Sequence, residues 1–268
     1  MPAARVIACD ESGYEGERLV GGVTTVFAHA GTDLDVAAAE EIVALLRDRI
    51  RSPALEYKAG HLLRAKHRAA LEWLLVRLAG RASVHLVDKA HLLARTLDGL
   101  VPAGVPLAAV EPVLRARTAD ELAETTEALR AVAPRIADAV ARRRAAELAD
   151  PPVFPALDPL PAAIGATVAH WSADGPVALV HDRQTTLSPE RIAALQAAYP
   201  ALAGLTLVPS RSDARVQVAD FVAGVAFRIA ADALAGHPDA ELLALLRPYV
   251  LAGSVWCDPA SGAALGLS

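Results

Sequence analysis

The chain has 268 residues, of which 54% are apolar, 21% charged and only 4% aromatic, and its formal net charge is −5. This composition excludes intrinsic disorder, and a membrane span is excluded because no window of 20 residues is free of charge. The negative balance gives no overall positive field for nucleic acid, so any such binding must be local. We therefore expect a cytoplasmic protein with no membrane partner, folded as one domain over residues 1–268 with an insertion.

The first part of the chain predicts a meander followed by two helices. Residues 5–10 and 19–28 are β-rich and predict two strands joined by a turn. A helix is expected over residues 33–51, begun by an aspartate and stopped by Ser-Pro. Apolar spacing predicts a second, amphipathic helix over residues 61–78, and the alternation of residues 82–88 predicts another strand.

The rest of the chain alternates between helices and strands. Residues 90–160 are mostly helical, end in a proline-rich loop, lie between strands and are interpreted as a helical insertion. Strands are predicted at residues 177–182 and 205–208, with a helix over 188–198 between them. A nearly continuous apolar helix is expected over residues 213–234. Strands interleaved with helices indicate an α/β fold, a mixed sheet covered by helices.

Three predicted strands end in aspartate, at Asp10, Asp88 and Asp182. If these strands are parallel and adjacent, the three carboxylates converge where α/β sheets bind ligands. Clustered carboxylates favour a hard divalent cation such as Mg²⁺ or Mn²⁺. The alternative is that each aspartate merely begins a turn.

The last predicted helix carries a polar stripe on an otherwise apolar cylinder. Glycine costs roughly 1 kcal/mol against alanine inside a helix, so the glycine in this stripe suggests a close approach by another group. Asp232 continues the stripe, which favours a plain solvated face, and both interpretations stay open. The stripe consists of Asp213, Gln217, Asp220, Gly224 and Arg228.

Motifs in the same order resemble the family known as domain of unknown function 3800, which is assigned to the ribonuclease H-like superfamily. The resemblance extends from residue 5 to about residue 230, and its first and last motifs are specific mainly in combination. The matching motifs are Asp10-Glu11-Ser12-Gly13, Gly21-Gly22-Val23, Glu56-Tyr57-Lys58, Val180-His181-Asp182 and Gln217-Val218-Ala219-Asp220.

The resemblance implies a ribonuclease H-like mixed sheet flanked by helices. It also implies a nuclease in which acids bind two Mg²⁺ or Mn²⁺ ions for phosphodiester hydrolysis in DNA or RNA. By resemblance, the ligands are Asp10, Glu56, Asp182 and Asp220. Asp88 is a rival for the middle position, and the sequence does not rank it against Glu56 or Asp182.

Several residues near these acids are expected in supporting roles. Glu11 points to the opposite face of a continuing strand and takes a lesser part. Lys58 and Gln217 are expected to contact a phosphate or orient a ligand, and Ser12 to shape the turn over the metal. His181 is expected to be structural, and the histidine spacings do not fit a zinc site.

The sequence leaves alternatives open for the insertion and for the function. The insertion offers a basic surface or, more simply, a solvated helical face paired with its own acids. The protein is either a nuclease or a non-catalytic binding or adaptor protein on the same fold. A third hypothesis, two carboxylates acting on a glycosidic bond, is disfavoured by the few aromatic residues. The arginines of the insertion are Arg115, Arg117, Arg135, Arg142, Arg143 and Arg144.

Overall fold

The computed structural model describes residues 4–51, 58–97, 99–102 and 104–267. The chain divides into two compact units, each with its own apolar core. The first unit contains the sheet, and the second contains most of the helical insertion. The first unit comprises Met1–Tyr14, Val26–Val87 and Leu160–Ser268, and the second comprises Glu15–Thr25 and Asp88–Pro159.

The sheet has five strands in the order β3-β2-β1-β4-β5. Strand β1 is antiparallel to β2 and parallel to β4, and β4 is parallel to β5. The prediction of a mixed α/β sheet flanked by helices is confirmed. The strands are β1 (Arg5–Ser12), β2 (Val26–Thr32), β3 (Ala82–Asp88), β4 (Val177–Asp182) and β5 (Leu202–Val208).

The second strand lies further along the chain than its sequence predicted, at Val26–Thr32 rather than residues 19–28. The segment before it is a loop because the Glu15 carboxylate accepts the backbone N–H groups of Val23, at 2.9 Å, and Thr24, at 3.4 Å. Gly21 has φ +66°, in the left-handed region that interrupts a strand.

Three helices begin at side-chain caps. Asp35, Ser188 and Asp213 each accept a backbone N–H of the first turn through the side chain. Among the described residues, no helix is long and apolar enough to cross a membrane. The helices are α1 (Val36–Ile50), α2 (Ala59–Leu62), α3 (Arg68–Leu78), α4 (Lys89–Thr96), α5 (Leu107–Arg115), α6 (Ala119–Val132), α7 (Pro134–Ala149), α8 (Leu160–Trp171), α9 (Pro189–Ala198), α10 (Ala214–Leu234), α11 (Ala240–Leu246) and α12 (Pro259–Leu265).

The predicted helix over residues 61–78 is wrong as a single element. The chain forms the short helix α2, then extends at Arg64 (φ −72°, ψ 135°), makes a 3₁₀ turn at Ala65–His67 and only then enters α3. The break is stabilised by His67, whose Nδ1–H donates to the carbonyl of His61 at 2.6 Å. This hydrogen bond joins two residues six positions apart and involves no apolar side chain. The spacing of apolar residues therefore does not reveal the break.

The core of the first unit lies between the sheet and α10. Ala28 and Ala30 of β2 and Phe221 and Val225 of α10 are all essentially inaccessible to solvent. Burial of one such phenylalanine contributes about 1.5–3 kcal/mol. The opposite sheet face is covered by α8, which the sequence did not predict; Trp171 Nε1–H donates to Ser83 Oγ there at 2.9 Å.

Candidate functional site

The candidate site begins at Asp10, near the carboxyl end of β1. Asp10 pairs with Ala30 across β1 and β2, so its side chain lies on the sheet face that packs against α10. The residue is only 4% exposed. Oδ1 accepts the Glu11 backbone N–H at 2.8 Å, whereas Oδ2 is buried and has no hydrogen-bond partner in the described part of the chain.

The charge state of Asp10 reflects its burial first and the nearby acids second. Burial, followed by the nearby charges of Glu11, Asp220 and Asp182, raises the pKa of Asp10 to about 9. The four carboxyl groups therefore interact electrostatically at one end of the sheet. A site of this kind either keeps a proton at neutral pH or gains a compensating cation.

Asp182 reaches this neighbourhood because β4 runs parallel to β1, with Cys9 paired to His181. The carboxylate of Asp182 is half-buried, and its Oδ1 accepts the backbone N–H of Ser210 at 2.7 Å. Ser210 follows β5, so this bond ties the end of β4 to the turn that leads into α10. No local pattern in the sequence pointed to Ser210, because its role depends on the order of the strands.

Asp220 belongs to the polar stripe of α10, and that stripe meets α2. A Cβ at Gly224 would stand 2.3 Å from the Cβ of Ala59, so the missing side chain lets α2 approach the α10 backbone. This contact brings Lys58 to the site, where Nζ lies 3.7 Å from Asp220 Oδ1. The close approach predicted at Gly224 is present, and its partner is another helix.

Gln217 and Ser12 were also expected in supporting roles. Gln217, one turn before Asp220, lines a cavity of about 440 Å³ together with Arg47 and Arg211. Ser12 ends β1, and its Oγ is 3.9 Å from the position that a Gly224 Cβ would take. The lining of the Gln217 cavity includes none of Asp10, Asp182 and Asp220, and neither Gln217 nor Ser12 has a role fixed by these contacts.

Glu11 lies on the other face of the sheet, opposite His29 of β2. Burial raises the pKa of Glu11, while nearby His181 and a hydrogen bond from Gln184 act in the opposite direction. Glu11 Oε2 is 3.6 Å from His181 Nε2 and has no hydrogen-bond partner among the described residues. Gln184 and His29 were not predicted as site residues, since their contacts follow from strand register.

A buried chain of hydrogen bonds runs from Thr167 of α8 to the carbonyl of Asp182. His181 Nδ1 must donate to the carbonyl of Asp182, 2.9 Å away, because a carbonyl only accepts. The Nε2 atoms of His29 and His181 are 3.2 Å apart, and Thr167 Oγ1 is 3.0 Å from His29 Nδ1. Burial, then His181 and His85, lowers the pKa of His29, which stays neutral. The contacts run from Thr167 through both histidines to the carbonyl of Asp182.

The two remaining acid candidates stand differently. Asp88 is the N-cap of α4, where its Oδ1 accepts the His91 backbone N–H at 3.1 Å. Its strand β3 is at the edge of the sheet and is separated from β1 by β2. This accounts for Asp88 as a capping residue. Glu56 lies outside the described residues.

Two arginines of the insertion are engaged in contacts within the second unit. Arg143 and Arg144 both pair with Glu147. Arg144 also donates to the carbonyl of Ala116 at 2.8 Å, and Arg143 to that of Thr96. These bonds favour the simpler alternative, in which the insertion pairs with its own acids.

The fit to a divalent cation rests on donor chemistry. In the present side-chain positions of the described residues, no group of three His, Cys, Asp or Glu side chains is arranged to hold a metal ion. Asp10 Oδ2 is nevertheless a buried carboxyl oxygen that receives no hydrogen bond from the described residues, and a cation would satisfy it. Carboxylates such as Asp10, Asp182 and Asp220 are the ligands that Mg²⁺ and Mn²⁺ prefer.

Comparison of the chain with protein-family models, with curated proteins and with solved structures gives no significant match. The family resemblance therefore rests on the motifs alone. The class that the fold defines is an α/β protein with a five-stranded mixed sheet.

Proposed function

We propose that the protein is a Mg²⁺- or Mn²⁺-dependent nuclease of ribonuclease H-like type that hydrolyses phosphodiester bonds in DNA or RNA. The observation that carries this proposal is Asp10, a buried carboxylate with an unpartnered oxygen whose pKa is raised by burial and by Glu11, Asp220 and Asp182. Perturbed acids of this kind concentrate at functional sites. A cytoplasmic location remains part of the same prediction.

The topology supports the ribonuclease H-like assignment. An antiparallel β1–β2 pair continues into parallel β4, with acids at the ends of β1 and β4 and on a late helix. This is the distribution of acids that the family resemblance implies. In open α/β sheets, ligands bind beyond the carboxyl ends of parallel strands, where Asp10 and Asp182 lie.

The residues divide into ligands and positioning groups. Asp10, Asp182 and Asp220 would hold the cations, with Glu56 as a further ligand by resemblance. Bound cations supply an activated water and stabilise the leaving oxygen. The Ser210 amide orients Asp182, and Lys58 places a positive charge beside Asp220.

The test is a Mn²⁺ titration of chelator-treated protein by calorimetry, paired with a cleavage assay on a mixed pool of oligonucleotides. We expect Asp10→Asn and Asp220→Asn to weaken Mn²⁺ binding at least about tenfold and to lower cleavage by about 100-fold or more. Removing one ligand leaves the remaining acids without enough oxygen donors to hold the ion.

Asp232→Asn is the matched control, because it removes an acid from the same helix. Asp232 pairs with Arg228 at 2.8 Å and lies 12 residues beyond Asp220, which is about 18 Å along the helix. It should leave Mn²⁺ binding unchanged. Absence of Mn²⁺ binding to the wild type, or full cleavage by Asp10→Asn, would overturn the proposal.

The non-catalytic alternative has one observation in its favour. Among the described residues no three side chains are arranged around an ion, and Lys58 is the cation near Asp220. An adaptor on this fold would bind its partner equally well in excess chelator. The same titration separates the two functions, because an adaptor does not lose activity with single acid substitutions.

A further inference from the structure

One short stretch reverses the charge balance of this acidic chain. Residues 58–68, here called the basic segment, contain Lys58, Arg64, Lys66 and Arg68 and no acid, whereas the chain as a whole has a net charge of −5. The segment comprises α2, the extended residue Arg64 and the 3₁₀ turn, and it begins beside Asp220. It supplies the local positive field that the overall composition lacks.

The basic segment is held in a fixed shape by its own histidines. The Lys58 backbone N–H donates to His61 Nδ1 at 3.2 Å, and His67 Nδ1–H donates to the carbonyl of His61 at 2.6 Å. Leu62 anchors α2 in the core and is 1% exposed. A preorganised surface loses less conformational entropy when it binds a partner.

Its cations are not equally available. Arg68 is neutralised by Glu72 and Asp239. Arg64 and Lys66 are exposed, and neither forms an ion pair with any residue that the structure describes. Lys58 contacts Asp220, but its side chain is 50% exposed. Arg64 and Lys66 are therefore available to a ligand, and they follow Lys58, which already lies beside Asp220.

A cavity of about 510 Å³ lies against the basic segment. Apolar side chains line it, among them Leu62, Leu71 and Ile229. Its wall also contains Arg64 and two arginine–carboxylate pairs, Arg228–Asp232 and Arg68–Asp239. This volume falls within the range of small-ligand pockets, roughly 300–1,000 Å³. The apolar side chains suit a flat heterocycle, and Arg64, which forms no ion pair with any described residue, suits a phosphate attached to it.

We propose that the basic segment and this cavity bind single-stranded nucleic acid, with phosphates on Arg64 and Lys66 and one unpaired base in the cavity. The inference rests on the proposed nuclease function and specifies its substrate class and the surface that holds it. A paired base is stacked within a duplex and cannot enter the cavity, so the site selects single strands. The strand would then pass Lys58 on its way to the acids.

The binding test uses fluorescence anisotropy of labelled single-stranded DNA and RNA oligonucleotides with the full chain in excess chelator. The double variant Arg64→Gln/Lys66→Gln should bind about tenfold more weakly than wild type. The slope of log K against log salt should become shallower by about 1.4, because each lost phosphate contact contributes about 0.7. A duplex of the same sequence should bind the wild type at least about fivefold more weakly than the single strand.

The matched control is Arg117→Gln/Arg135→Gln, which removes two exposed arginines from the second unit and the same amount of charge. It should leave affinity and salt slope unchanged. Three outcomes each overturn the proposal: no binding by wild type, equal loss in the control, or a preference for duplex. Binding confined to phosphatidylserine vesicles, measured in parallel, would also overturn it by assigning the segment to a membrane surface.

Because this assay contains no metal, its result is independent of catalysis. A protein that binds single strands through Arg64 and Lys66 but never cleaves them would refute the nuclease and keep the surface. Mn²⁺-dependent cleavage that is indifferent to the double variant would do the reverse.

Discussion

The Cβ of Ala59 lies 2.3 Å from the point where a Cβ on Gly224 would stand, so α2 touches the backbone of α10. Lys58 precedes Ala59, and Asp220 is one turn before Gly224. The contact between two small residues thereby determines the 3.7 Å separation of the Lys58 ammonium and the Asp220 carboxylate. The geometry of the site depends on a residue with no side chain.

Gly224→Ala should destabilise the protein although alanine is the better helix former. The new methyl group must displace α2, and overpacking of this kind costs typically about 1–3 kcal/mol. Urea denaturation followed by circular dichroism measures the change. Gly60→Ala is the control, since Gly60 lies in α2 with nothing within 4 Å of the point that its Cβ would occupy, and should be neutral or slightly stabilising. Equal stability of the two variants would remove the steric argument.

The raised pKa of Asp10 predicts an unusual pH dependence of stability in the presence of chelator. The folded pKa of about 9 exceeds the ordinary value of 3.8, so the folded state retains a proton that the unfolded state loses. The contribution of Asp10 to stability is complete below pH 3.8 and declines as the pH rises towards 9. Between pH 5 and pH 8 this amounts to as much as about 4 kcal/mol.

Asp10→Asn should remove that slope and be more stable than wild type at pH 8. Urea midpoints at pH 5 and pH 8 test this, with Asp232→Asn as the control that keeps the wild-type slope. Added Mn²⁺ should restore the stability of the wild type at pH 8 and leave Asp10→Asn nearly unaffected. A wild-type protein whose stability rises between these two pH values would contradict the assignment.

The second unit contains a buried ion pair whose disruption should be costly. Lys89 is 1% exposed; its Nζ lies 2.9 Å from Glu15 Oε2 and also contacts the Thr24 hydroxyl. Lys89→Ala leaves Glu15 without its charged partner, and loss of one member of a buried pair costs about 3–5 kcal/mol. Because Glu15 keeps some access to solvent, the lower end of this range is expected. Hydrogen exchange should accelerate across residues 15–25.

Replacing both charges distinguishes a buried-charge effect from lost packing. Lys89→Met/Glu15→Gln retains most of the volume and removes the unpaired charge, so it should recover much of the stability that Lys89→Ala loses. If the double variant is as unstable as Lys89→Ala, packing of the lysine stem is the dominant contribution.

Local patterns in the sequence predicted the parts of the fold that depend on neighbours along the chain. The helix start at Ser188, the helix that begins near Asp213 and the strand Val177–Asp182 follow from short-range chemistry and were predicted correctly. An apolar run ending in an acid predicted the strands of Asp10 and Asp182, but not that they are adjacent and parallel, since Asp88 ends the same kind of run on an edge strand. Each of these strands and helix starts can be recognised from the residues next to it in the sequence.

What the sequence did not reveal depends on distant contacts. The start of β2 was misplaced because residues 19–25 are as β-rich as a strand, while the bonds from Glu15 to Val23 and Thr24 that hold the loop are side-chain contacts. With β2 misplaced, His29 could not be set opposite Glu11, and the histidine chain went unrecognised.

The second unit consists of two separate segments of the chain, Glu15–Thr25 and Asp88–Pro159. Leu19 is part of the apolar core built by the insertion, and the buried Glu111 carboxylate receives the amides of Leu19 and Val20. Deleting only Asp88–Pro159 would therefore expose Leu19 and leave the Leu19 and Val20 amides without their acceptor. Relatives that shorten or lose the insertion should have remodelled the connection after the first strand at the same time, so the two lengths should vary together in evolution.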